Sequence, residues 1–186
     1  MSSERKKRRH MRHYNRIARF YDAQYGNEQE LKIEAVLKNL KFDRQKLVLD
    51  LGCGTGLLIA KIRDLTRHVV GLDVSKGMLK EAALNLSHLT CVHFVLADAD
   101  WAPFGSGCFD AVFAITLLQN MPNQRRTVQE VKRIAQSEAS IVVTGLKKNF
   151  SESVFLKLLE GEGLKAKLLK TDDRLKCHIA ICEKCG

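Results

Sequence analysis

Two hydrophobic periods alternate along the chain. Ile17, Phe20 and Tyr21 recur at helical spacing, as do Leu31, Ile33, Val36, Leu37 and Leu40. This predicts two N-terminal helices with Gly26-Asn27 as the break between them. Beyond them the period shortens. Residues 47–49, 68–72, 92–97, 109–115 and 141–144 read as short buried strands, with helical stretches from near Gly56, after Ser75, from Pro122 and after Ser151. Ser75 caps its helix by offering a hydroxyl acceptor to an orphan amide. Pro122 suits a first helical turn, where no amide hydrogen is needed. Residues 164–168 alternate with lysines, and 175–181 are strand-like again. Strands alternating with helices imply one α/β domain, a doubly wound and mostly parallel seven-stranded sheet with right-handed crossovers. The segment TDDRL joins the last two strands. It is too short for a parallel crossover, so the last strand pair is antiparallel.

Composition changes this picture little. Of 186 residues, 45% are hydrophobic and 28% charged, which excludes a mostly disordered chain. No run approaches the ~18 consecutive apolar residues of a membrane span. The opening MSSERKKRRHMRH has no apolar core of a secretory signal. Six cysteines in that context read as free thiols, and a cytoplasmic protein is expected, with a nuclear one left open by ERKKRR. The placement of charge adds more. Residues 1–19 carry eight basic side chains against Glu4 alone, whereas the rest of the chain is close to neutral within a total of +10. A basic N-terminal arm and helix (1–24) ahead of a core (25–186) suggests an anionic polymer as partner; a solubilising tail is the plainer reading.

The candidate chemistry begins at Asp50-Leu-Gly52-Cys-Gly54-Thr-Gly56, where a strand runs into a glycine-rich turn and then a helix. Glycines admit positive φ and let backbone approach a ligand. Neither frame completes the dinucleotide G-x-G-x-x-G/A, because Leu57 and Ile59 stand at the third position. The spacing D-x-G-x-G-x-G instead resembles motif I of the class I S-adenosylmethionine-dependent methyltransferases. Gly71-Leu-Asp73-Val74-Ser75-Lys-Gly-Met78-Leu is similar to that family's second segment. Asp98-Ala99-Asp100-Trp101-Ala102-Pro103-Phe104 is similar to its D-A-x-x-L-P-F segment, and Phe109-Asp110 matches the start of its fourth strand. Tyr14-Asn-Arg-Ile-Ala18-Arg-Phe-Tyr21-Asp22 resembles the opening of the ubiquinone-biosynthesis type, methyltransferase type 11.

The resemblance implies a Rossmann-like methyltransferase fold that binds S-adenosylmethionine and releases S-adenosylhomocysteine. It places Gly52, Gly54 and Gly56 around the methionine part, with Asp50 on its ammonium or capping the loop's own amides. Asp73 falls at the ribose, with a surface carboxylate or strand-end cap as the plainer reading, and Val74 is a further cofactor-binding residue. Asp98 falls at the adenine amino group and Ala99 at a ring nitrogen, while Met78 touches adenine or fills core. A ligand-facing Asp73 would be dispensable for the fold. Tyr21, Thr116, Gln119 and Asn120 are expected to line the acceptor site, and no residue stands out as a base. The Leu118-Gln119-Asn120-Met121-Pro122 segment has neither the family's L-H-H-L-P histidines nor an Asn/Asp-Pro-Pro-aromatic motif. Gln136-Ser-Glu-Ala139 replaces a Pro-Gly-Gly turn.

The mechanism implied is in-line displacement at a sulfonium methyl, in which alignment supplies most of the acceleration. Only Gly145–Phe150 separates the fifth strand from its next helix, which leaves no room for a substrate lid. That points to a large substrate, RNA (tRNA or rRNA), bound through the arm, with a small activating protein subunit as a further partner. A quinone-type small-molecule methyltransferase and a catalytically silent cofactor-binding partner of an active enzyme are the alternatives. The arm is expected to serve substrate and not cofactor. Cys177 and Cys182 have opposite strand parity, which favours free thiols over a metal site.

Overall fold

A computed structural model describes residues 3–40, 46–171 and 174–185. The chain opens with helix α1 (Ser3–Ile17), a 3-10 turn (Ala18–Phe20) and helix α2 (Tyr21–Leu37). Strands and helices then alternate as β1 (Leu47–Leu51), α3 (Leu57–Ile62), β2 (His68–Asp73), α4 (Lys76–Asn85), β3 (Val92–Leu96), β4 (Phe109–Ala114), α5 (Gln124–Ile134), β5 (Ala135–Leu146), α6 (Glu152–Gly161), β6 (Leu164–Leu168) and β7 (Cys177–Lys184). The sheet has seven strands in the order β3-β2-β1-β4-β5-β7-β6. Strands β1 to β5 pair in parallel, and β7 runs antiparallel to both β5 and β6. Of the TDDRL connection, residues 172 and 173 lie outside the described residues.

Alternation along each strand sorts the core into two layers. Leu49, Leu51, Val112, Ala114, Ile141 and Val143 face α5 and α6 and pack with Val128, Val131, Ile134, Phe155 and Leu159. Val48, Val69, Ala111, Phe113 and Val142 face the opposite way and pack with Ile33 and Val36 of α2 and Leu58, Ile59 and Ile62 of α3. Cys182 belongs to the first layer and Cys177 to the second, as their parity requires. Burial pushes the Cys182 thiol up to about 12.

Three boundaries differ from the sequence reading. The break between the N-terminal helices falls at Ala18–Phe20, and Gly26 and Asn27 lie inside α2. Tertiary packing of Gln29, Lys32, Ile33 and Val36 carries the helix through a residue whose intrinsic cost is about 1 kcal/mol. Helix α5 starts at Gln124, capped by Asn123 Oδ1 accepting from the Arg126 amide at 3.1 Å, so Pro122 precedes the helix. Residues 136–139 form no turn. Strand β5 leaves α5 directly at Ala135, and its pairing with β4 jumps from Phe109–Ala135 to Ala111–Ser140, so the extra residues are absorbed as a bulge.

The N-terminal helix is not a separate arm. Asn15 Oδ1 accepts from the Gly77 amide and from the Ser75 hydroxyl, both at 2.8 Å, which seats α1 on the first turn of α4. A Cβ on Gly77 would lie 2.9 Å from the Asn15 carbonyl oxygen, so this approach needs glycine there.

Candidate active site

The sheet changes direction between β1 and β4, and a cleft opens beyond the carboxyl ends of these strands. Such a switch point is where open α/β sheets hold ligands. Gly52, Gly54 and Gly56 adopt φ of 83°, 54° and 86°, a region that L side chains rarely enter. The amides of Gly52 and Cys53 both donate to the Leu72 carbonyl, which ties the loop to the end of β2. Gly52 and Gly54 line the cleft. Gly56 instead turns away as the residue before α3, where a Cβ would meet the Leu86 side chain at 2.9 Å.

Three carboxylates face the cleft, and each has a different environment. Asp50, at the end of β1, is 3% exposed, and no donor among the described residues reaches its side chain. Burial, with Asp73 nearby, pushes its pKa up to about 8. Such a group is protonated in isolation and calls for a cation. Asp73, at the end of β2, accepts from the Gly54 amide at 3.0 Å through Oδ2 and from the Ser75 amide at 2.8 Å through Oδ1. It therefore braces the glycine loop and the start of α4 while lining the cleft. Burial still raises its pKa against these hydrogen bonds. Asp98 begins the 3-10 turn Ala99–Trp101, accepting from the Asp100 amide at 3.0 Å.

Helix α1 reaches the same cleft. Lys7, His10 and Tyr14, spaced one helical face apart, line it. Lys7 Nζ lies 2.7 Å from Asp98 Oδ2 and 2.5 Å from Asp100 Oδ2, and Asp100 accepts from the Thr127 hydroxyl at 2.5 Å. One lysine of the basic segment is therefore held inside the cleft by two acids. Val74, Ala99 and Met78 also line it, and Met78 is at the same time 1% exposed core.

The far wall carries Tyr21, Thr116 and Asn120, which the fold brings together. Thr116 follows β4 with φ of 60°, the one positive value among described non-glycine residues. Its strain is held by three bonds: its amide donates to Thr144 Oγ1 at 2.7 Å, and its carbonyl accepts from Gln119 Nε2 at 2.6 Å and Asn120 Nδ2 at 3.1 Å. Gln119 spends its amide on that carbonyl and does not line the cleft. Sequence reading missed Lys7, Gln29 and Lys32. Gln29 Oε1 accepts from the Thr116 hydroxyl at 2.9 Å, and Lys32, 1% exposed, pairs with Glu28 at 2.9 Å. Lys7 was detectable from its helical spacing to His10 and Tyr14. Lys32 gives no signal, since a lysine beside Leu31 and Ile33 reads as a solvated side chain.

Among the described residues, no helix is long and apolar enough to cross a membrane, and no His/Cys/Asp/Glu group is arranged to hold a metal ion. Residues 49–143, just over half of the chain, match the family described as "Methyltransferase domain". A demethylmenaquinone methyltransferase of Clavibacter sepedonicus is 36% identical over 96 residues, 52% of this chain and 39% of that protein. Two solved structures share the fold. The methyltransferase in a complex with the Trm112 activator of Haloferax volcanii superposes with TM-score 0.81 at 15% identity, covering 93% of this chain and 98% of that one. A SAM-dependent methyltransferase from Aquifex aeolicus superposes with TM-score 0.78 at 19% identity, covering 90% and 97%. The chain spans about half the length of the curated relatives it matches. The family match and the seven-stranded sheet with its antiparallel last strand agree: the chain belongs to the methyltransferase domain family, the class I enzymes whose cofactor is S-adenosylmethionine.

Proposed function

We propose that the protein transfers the methyl group of S-adenosylmethionine to RNA. The residues in the cleft fit the cofactor. Asp50, buried without a donor, would take the ammonium, Asp73 the ribose hydroxyls and Asp98 the adenine amino group, with Gly52 and Gly54 giving backbone room. Val74, Met78 and Ala99 would pack around the nucleoside. Gly56 would act indirectly by shaping the loop. When bound, the cofactor supplies a methyl carbon already activated by the sulfonium charge. The chain's task is then to align an acceptor and exclude water.

The observation that carries the RNA reading is the division of α1 into two faces. Lys7, His10 and Tyr14 look into the cleft, while Arg5, Lys6, Arg8, Arg9, Arg12 and Arg16 form a basic surface on the rest of the helix. A polyanion drawn to that surface lies at the rim of the cleft. The short connection between β5 and α6 supports the same reading, since it leaves that side without a lid. A small activator subunit is part of the proposal, supported by the fold shared with the Haloferax volcanii methyltransferase in its complex with Trm112. The second reading, a quinone-type small substrate, draws on the relative named demethylmenaquinone methyltransferase and on the aromatic lining that Tyr14 and Tyr21 give the cleft.

The test replaces Arg9, Arg12 and Arg16 together by alanine and leaves Lys7 in place. RNA affinity should fall and become less dependent on salt, with the slope reduced by about 2–3 if all three arginines meet phosphates. S-adenosylhomocysteine affinity should stay unchanged. Equal RNA binding by both proteins at low salt would remove the charge argument for RNA.

A further inference from the structure

Two tyrosines over the cleft have hydroxyls whose hydrogen-bond direction is set by their neighbours. Asn120 Nδ2 lies 3.1 Å from the Thr116 carbonyl oxygen, which can only accept, so this atom is a donor. The Tyr14 hydroxyl, 3.0 Å from the same nitrogen, must accept from it and keeps its own O–H for another partner. Tyr21 reaches the same state by a longer route. Lys32 Nζ can only donate, and it lies 3.3 Å from Thr116 Oγ1. The Thr116 hydroxyl passes its hydrogen on to Gln29 Oε1 at 2.9 Å, which turns Gln29 Nε2 toward the Tyr21 hydroxyl at 3.3 Å. The chain starts from a fixed charge inside the protein, which polarises each later bond in the same sense. Burial pushes both phenols up in pKa, so both keep their protons at neutral pH.

We propose that Tyr14 and Tyr21 are donors that hold an oxygen of the methyl acceptor, and that this acceptor is a nucleobase ring nitrogen flanked by a carbonyl. The proposal rests on the RNA reading above and narrows it. Guanine N7 beside O6 and cytosine N3 beside O2 present such an oxygen. Adenine sets an amino group at those positions, so donor would face donor. A site built around a hydrogen bond rejects the analogue that cannot make it, because its buried groups go unpaired. In the transfer, the ring nitrogen's lone pair forms the N–C bond as the C–S bond breaks. The electron pair of that bond stays on sulfur, and the positive charge passes to the base. No proton leaves, so two protonated phenols and no base are what the step requires.

The test incubates total RNA, methyl-labelled cofactor and a purified activator subunit with the wild-type protein and with the Tyr14→Phe/Tyr21→Phe double variant, which keeps both rings. Methylated nucleosides are identified by mass spectrometry, and S-adenosylhomocysteine affinity is measured alongside. The expected result is label on guanine N7 or cytosine N3 with the wild type. The double variant should be at least about tenfold slower, with cofactor affinity within twofold. Label on adenine, or an unchanged rate in the double variant, overturns the proposal and leaves the RNA reading standing. A fall in cofactor affinity as large as the fall in rate also overturns it, by making the hydroxyls ligands of the cofactor's carboxylate. Unlabelled RNA with the wild type removes the RNA reading and this proposal together.

Discussion

Asp50 shows how a single side chain can report the bound cofactor. Its pKa, raised to about 8 by burial and by Asp73, means that the folded protein carries a proton there that the unfolded chain loses near 4. The folded state therefore binds more protons across that window, and stability falls as pH rises from about 4 to about 8. An ammonium placed against Asp50 would restore its charge and expel the proton. Calorimetry at pH 7 in two buffers of different ionisation enthalpy should then show about one proton released per S-adenosylhomocysteine bound, and none in Asp50→Asn. Proton release unchanged in the variant would sink this placement of the ammonium. Asp73 carries a double load. Asp73→Ala strands the Gly54 and Ser75 amides as well as any ribose hydroxyls. It should weaken cofactor binding by roughly 2–3 kcal/mol and also lower the melting temperature of the cofactor-free protein. A melting temperature unchanged within a degree would return Asp73 to a purely ligand-facing role.

Among the elements, α1 gives the clearest case of structure exceeding sequence. Gly77 admits the Asn15 backbone, so Gly77→Ala should push α1 off α4. Limited proteolysis should then cut within α1 faster, while the sheet's main melting transition stays nearly in place; equal cutting rates would show that this contact does not hold the helix. Strands β1 to β4 were legible because each is short, largely apolar and set off from the helices before and after it by polar or turn residues. The glycine loop and Asp73 were found in the cleft through a local pattern, a strand end followed by glycine or a cap, and Asp98 through the resemblance of its segment to a family motif. What escaped was non-local. The docking of α1 depends on Asn15 meeting Ser75 and Gly77 some sixty positions later, and Lys7 on two acids over ninety positions away. No pattern within α1 announces either partner. The helix break was misread because glycine was given more weight than the packing of α2, and the bulge of β5 is fixed by its register against β4.

At the scale of the whole molecule, one helix joins a basic surface to the end of the cleft where Asp98 and Ala99 stand. Lys7 and an adenine amino group would compete for Asp98, so loading the cofactor and positioning the outer arginines are linked through the same rigid element. Lys7→Met, which frees Asp98 and Asp100, should change S-adenosylhomocysteine affinity and RNA affinity together. A change confined to RNA would disconnect the two faces. Transfer of the methyl group to RNA can be measured by offering methyl-labelled cofactor, the protein and a purified activator subunit separate pools of total RNA and of extracted small molecules. The expected result is label in the RNA pool that becomes soluble on ribonuclease treatment and is absent with Asp73→Ala. Label confined to the small-molecule pool would contradict it.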